Sequence, residues 1–158
     1  MDASYFPDGQ PLDQVFGRDV RELKIKLVYS RPQLKGRKMI GGEAAPFGKI
    51  WRLGANEANE ITFYEDVSFG GVDVKAGTYV LFAVPGEKEW KFVLSDKLST
   101  WGNYTTKEDR FVAGAKNNLV RSSSEPIEAF SMMFKEVDGG THLVVGWDKT
   151  IVEFPIMF

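Results

Sequence analysis

The chain has 158 residues, with 20 basic and 22 acidic side chains, a formal net charge of −2 and no cysteine. That balance leaves no basic footprint for nucleic acid, whose binding depends on neutralising several phosphates. The missing thiols exclude disulfides, zinc ribbons, iron–sulfur clusters and thiol catalysis.

A chain of this length suits one domain that folds without metal or cross-link. Twelve Phe, five Tyr and four Trp favour pleated sheet over helix, because flat side chains pack well on its surface. No apolar run approaches the ~20 residues that cross a bilayer, so no transmembrane segment is expected. Residues Met1 to Gln10 lack the charged-then-apolar pattern of an export signal, so an exported protein would carry its signal outside this sequence.

Residues 1–20 read as a polar arm broken by Pro7, Gly9 and Pro11, with one helical turn around Leu12 to Phe16. Residues 21–158 read as one β-domain. Leu23, Ile25, Leu27 and Tyr29 recur at the period of a half-buried strand, and Arg31–Pro32 ends it. Residues 31–59 are then irregular, with Gly36, Gly41, Gly42, Pro46, Gly48 and Gly54 around a short Ile50–Leu53 segment. A loop this long in a compact domain is often functional.

Strand signals follow in quick order. Glu60 to Tyr64 is one, Val67 to Phe69 and Val72 to Val74 flank a Gly70–Gly71 hairpin turn, and Thr78 to Val84 is apolar enough to be central. Trp90 to Leu94 alternates, a loop from Ser95 to Lys107 carries Trp101 and Tyr104, and Phe111 to Ser124 is ambiguous apart from an edge strand at Leu119 to Ser122. Ile127 to Val137, Thr141 to Trp147 and Thr150 to Ile156 are separated by turns at Asp138–Gly140 and Asp148–Lys149. About nine or ten short strands with regular turns describe an all-β antiparallel sandwich or a jelly-roll-like domain. An unpaired sandwich edge also leaves room for a homodimer.

Tyr29–Ser30–Arg31–Pro32, Lys35–Gly36–Arg37, and above all the segment from Gly48 through Trp51–Arg52–Leu53–Gly54–Ala55–Asn56–Glu57–Ala58 carry a likeness to a known family. So do Val74 to Tyr79, Pro85–Gly86, Trp90, Trp101–Gly102 and Tyr104. From about Leu23 to the end, the chain resembles the bacterial family catalogued as domain of unknown function 2911, with Phe111 to Glu125 the region that departs most. The resemblance implies a small bacterial domain, often made with an export signal, and so a location in the periplasm or cell envelope. It implies no particular reaction.

The candidate chemistry concentrates in the irregular stretch. Arg31, Arg37, Arg52, Asn56 and Glu57 lie there beside Trp51. Guanidinium groups recognise carboxylates and phosphates bidentately, and aromatic rings offer flat apolar contact. The expected site joins Arg31, Trp51, Arg52, Asn56 and Glu57 to Trp101 and Tyr104 from the later loop, around a small polar, anionic or carbohydrate-like ligand. The competing reading is a brace, in which Arg52 and Glu57 pair with each other or with backbone carbonyls.

Other chemistry finds less support. Glu43, Glu57, Glu60, Glu65 and Asp66 offer carboxylates for glycoside hydrolysis, but sequence fixes no distance between them. His142 is the lone histidine, too few for the usual catalytic zinc site or a supported Ser-His-Asp relay. Gly42 to Lys49 fails as a phosphate loop, because Pro46 removes an amide and Ile50 stands where a hydroxyl is needed. Lys35, Arg37 and Lys38 read as a solvated loop. No cofactor, metal or catalytic residue is therefore assigned. Three functions stay open: a non-enzymatic ligand- or glycan-binding accessory module, a hydrolase using a carboxylate/arginine pair such as Glu57 and Arg52, and a purely structural domain.

Overall fold

The computed structural model describes residues 1–18, 21–98, 101, 111–117 and 119–158. Its strands are β1 (Asp2–Phe6), β2 (Ile25–Tyr29), β3 (Asn59–Phe63), β4 (Val67–Phe69), β5 (Val72–Val74), β6 (Gly77–Val84), β7 (Trp90–Ser95), β8 (Phe111–Asn117), β9 (Val120–Val137) and β10 (Gly140–Met157), with one short helix, α1 (Gln10–Val15). They form a six-stranded sheet in the order β1-β2-β3-β6-β7-β8 and a four-stranded sheet in the order β5-β4-β10-β9. All the pairings are antiparallel. The fold is the expected all-β sandwich.

Period-two alternation builds the core. Ile25, Leu27 and Tyr29 on β2, Ile61 and Phe63 on β3, and Trp90, Phe92 and Leu94 on β7 point inwards from the first sheet. Phe130 and Met132 on β9, with Leu143, Val145, Trp147, Phe154 and Ile156 on β10, meet them from the second. Strand β6 is buried on both sides: Leu81 and Ala83 join this core, while Val80 and Phe82 form a small outer cluster with Val93 and Ala58. That explains the continuous apolar run in its sequence.

One expectation changes and one ambiguity resolves. The first residues are not a free arm, because Asp2 to Phe6 pair with Tyr29 to Ile25 and form an edge of the larger sheet. Pairing lets a mixed polar segment such as Asp-Ala-Ser-Tyr-Phe act as a strand where its own pattern is weak. The ambiguous stretch after Phe111 resolves into β8 and the start of β9.

Strand β10 is continuous in its extended backbone but folds back on itself at Asp148, whose φ is +51°. His142 Nδ1 lies 2.9 Å from Glu153 Oε2 although the two are 11 residues apart, whereas a straight strand would separate them by roughly 36 Å at about 3.3 Å per residue. The Phe158 amide likewise donates to Gly139 O at 3.0 Å. The hairpin expected at Asp148–Lys149 is therefore present, and β9 wraps around its tip, pairing Ile127 with Asp148 and Ser122 with Thr150.

Glu153 ties that wrap together. It accepts from His142 and from Lys135 Nζ at 3.2 Å, and Arg121 Nη2 lies 3.5 Å away. The hydrogen bond from His142 holds its carboxyl below the ordinary range, burial opposes this, and Lys135 adds to the lowering. A depressed folded-state value stabilises above the unfolded carboxylate pKa and is lost as pH falls through the folded one. Glu153→Gln should therefore lower the urea midpoint at pH 7, with a gap that closes as pH drops below about 4.3, the usual Glu value. A gap of the same size at pH 3 would contradict the ion-pair account.

Residues Gly70 and Gly71, at φ +58° and +91°, make the β4–β5 turn as expected. A Cβ on Gly70 would sit 2.6 Å from both Ala115 Cβ on β8 and Phe154 Cζ, whereas one on Gly71 would meet nothing within 4 Å. Gly71→Ala should cost only the left-handed backbone penalty, about 1–2 kcal/mol. Gly70→Ala should exceed it by roughly 1–3 kcal/mol of overpacking, measured by chemical denaturation of both variants.

Candidate functional site

The irregular stretch between β2 and β3 joins the sheets before it forms a cleft. Beyond Tyr29 the chain runs alongside β9: Phe130 N donates to Pro32 O at 2.9 Å and Leu34 N to Glu128 O at 2.9 Å. At its far end Trp51 exchanges two main-chain hydrogen bonds with Ala83 of β6, at 2.7 and 2.9 Å. Trp51 thus extends the ladder past the end of β3 and plants its side chain in the core. Its indole is stacked on Trp147 at 5.8 Å with 7° between planes, and meets Trp90 and Phe130 edge-on.

After Trp51 the chain alternates. Arg52 turns outwards, and Leu53 turns back in with no exposed surface. Leu53 and Asn56 hold left-handed backbone at φ +53° and +62°, and Gly54 lies at +145°. Such a path is strained for residues with a Cβ and needs support from its surroundings. Buried Asn59 supplies it, with Nδ2 donating to Arg52 O at 2.8 Å and Leu53 O at 2.6 Å. Ser30 Oγ accepts from Ala55 N at 2.8 Å. A side chain at Gly54 would press to 2.5 Å from that hydroxyl, so glycine is required there.

Above this knot opens a cleft of about 340 Å³ lined by Arg37 and Arg52, with Trp51 and Trp147 at its base. Pro32, Met39, Ala44, Gly54 and Ala55 complete its walls. Arg37 is clamped by the main chain, Nε to Leu34 O at 3.0 Å and Nη2 to Gln33 O at 2.9 Å. Arg52 has one long hydrogen bond, Nε to Gly54 O at 3.4 Å. Among the described residues no carboxylate pairs with either guanidinium. Two cations therefore line one cleft with no carboxylate paired to them among the described residues, an arrangement that favours an anion.

The expected site residues scatter around this cleft. Trp51 and Arg52 belong to it. Arg31 does not: it braces the sandwich through Asp2 at 3.1 Å, Phe130 O at 3.2 Å and Ser131 Oγ at 3.1 Å. Asn56 and Glu57 are exposed and outside the lining, and Trp101 is 60% exposed and also outside it. Tyr104 lies outside the described residues. Arg37, which belongs to the candidate stretch but not to the expected site, and Trp147, which was expected only as core, complete the lining. Arg37 sits among Lys35 and Lys38, which reads as a solvated loop, and Trp147 is an ordinary core position on a strand.

Among the described residues, no carboxylate, imidazole or hydroxyl side chain lines the cleft. Among the described residues no group of three or more His, Asp or Glu side chains could hold a metal ion, and no helix is long and apolar enough to cross a membrane.

Fold and cleft together define a two-sheet β-sandwich with a basic, tryptophan-floored cleft at the seam between its sheets. A family model described as "Protein of unknown function (DUF2911)" matches residues 11–156. The chain belongs to that family. No curated protein and no solved structure matches it.

The knot that shapes the cleft can be tested without a ligand. Asn59→Ala should destabilise the chain by roughly 1–3 kcal/mol, through the loss of one buried and one part-buried hydrogen bond at about 0.5–1.5 kcal/mol each. Urea unfolding would measure it, and a change under 0.5 kcal/mol would remove Asn59 from this supporting role.

Proposed function

We propose that this chain is a binding module that takes a small anionic ligand into the Arg37–Arg52 cleft without transforming it. The observation that carries this reading is the pair of guanidinium groups facing one cleft with no acidic partner among the described residues. Arg52 is half-buried without a counter-charge among the described residues, so an anion in the cleft would stabilise it, while Arg37, which is exposed, adds a second positive charge. Among the described residues, the lining holds no carboxylate, imidazole or hydroxyl side chain, which supports binding over hydrolysis, since general acid–base or nucleophilic chemistry needs such a group within reach. Glu57, the candidate for hydrolysis, is exposed and outside that lining. For Arg31, whose three hydrogen bonds all join it to β1 and β9, a purely structural role fits better.

The experiment is a nitrogen-15 NMR titration with sodium acetate, benzoate and phosphate, following the Arg52 Nε–H, the Ala55 amide and the Trp147 indole N–H. At least one anion should shift these signals together, and Arg52→Gln should weaken its binding by about tenfold or more, as expected for loss of a charge-assisted contact worth roughly 1.5–3 kcal/mol. Unmoved signals with all three anions, or equal binding by a folded Arg52→Gln variant, would defeat the proposal.

A further inference from the structure

The geometry points to a narrower ligand class for this cleft: a small carboxylic acid with an apolar or aromatic body, in preference to a sugar or an inorganic oxyanion. The inference rests on the anion-binding reading above and adds the chemistry of the ligand's uncharged part.

The donors come first. Arg37 has its Nε and Nη2 engaged by main-chain carbonyls, which fixes its plane. Arg52 keeps both terminal nitrogens without a partner among the described residues, since only its Nε is engaged. A planar fork of N–H groups matches the two oxygens of a carboxylate.

The cleft also offers apolar wall beside these donors. Pro32, Met39, Ala44 and Ala55 contribute apolar side chains. The Trp147 indole N–H already donates to Glu128 O at 3.2 Å. The nearby main chain is engaged too: Arg52 O and Leu53 O by Asn59, Gly54 O by Arg52, and Ala55 N by Ser30. Sugar hydroxyls entering here would give up water for few partners, which is unfavourable. An inorganic oxyanion would leave the apolar walls wet and gain nothing from them, whereas an apolar body would remove them from water.

The tryptophans exclude a second mode of sugar binding. Stacking a sugar needs an open ring face, but Trp51 and Trp147 are 3% and 1% exposed and spend one face each on the other. Little of either indole therefore reaches the cleft. A volume of about 340 Å³ lies at the small end of the range for organic ligands.

The test compares phenylacetate, its neutral isostere phenylacetamide, inorganic phosphate and N-acetylglucosamine by calorimetry and the same NMR signals on the full chain. Phenylacetate should bind at least tenfold tighter than each of the other three. Arg52→Gln should remove that advantage, and Ala44→Leu, at an exposed wall position that tolerates a larger side chain, should weaken phenylacetate more than acetate. Phosphate binding as tightly as phenylacetate would overturn the apolar-body inference while leaving the anion reading intact. Equal binding of phenylacetamide would overturn the anion reading itself. Tighter binding of N-acetylglucosamine would return the cleft to a glycan, and no binding by any probe would overturn both.

Discussion

The stack of Trp51 on Trp147 couples the two sheets and the cleft in one contact. Trp51 is held by main-chain hydrogen bonds to β6 of the larger sheet, and Trp147 belongs to β10 of the smaller. Their rings lie nearly parallel, with Phe130 set edge-on to both. A cluster of large rings at a sheet–sheet interface buries much apolar area and adds a directional preference between ring edges and faces. The irregular stretch is therefore a third component of the core rather than a cover laid over it, and its outward residues inherit the rigidity of its inward ones.

That arrangement accounts for what the sequence disclosed. Period-two alternation in β2, β3 and β7 is strong because each has one face on the core, so their positions could be read directly. The two hairpin turns at Gly70–Gly71 and Asp138–Gly140 were legible because their chemistry is local. Strand β1 was not, because Asp-Ala-Ser-Tyr-Phe becomes a strand only by pairing with β2. Likewise, the first half of β9 owes its extended form to the hairpin it wraps, and proline at position 126 disguises the continuity.

The cleft was half legible for a similar reason. The Trp51–Arg52 pair stood out because bulky and charged residues sit among glycines, which marks a stretch with special backbone demands. Partnering across the fold is invisible at that level. Nothing local distinguishes Arg31, spent on Asp2 and β9, from Arg52, which keeps its terminal nitrogens free among the described residues. Nor could the sequence bring Trp147 beneath residues almost a hundred positions earlier. Glu57 and Asn56 shared the suggestive segment, yet both are exposed and lie outside the lining of the cleft.

The alternation of Trp51 inwards, Arg52 outwards and Leu53 inwards has an evolutionary consequence. The fixed neighbours set where the middle side chain emerges, while that side chain contributes little to holding them. Position 52 can thus change identity at small cost to folding, and each change would present different chemistry at the same point of the same cleft. The surface chemistry of the cleft is thus separable from the stability of the sandwich beneath it.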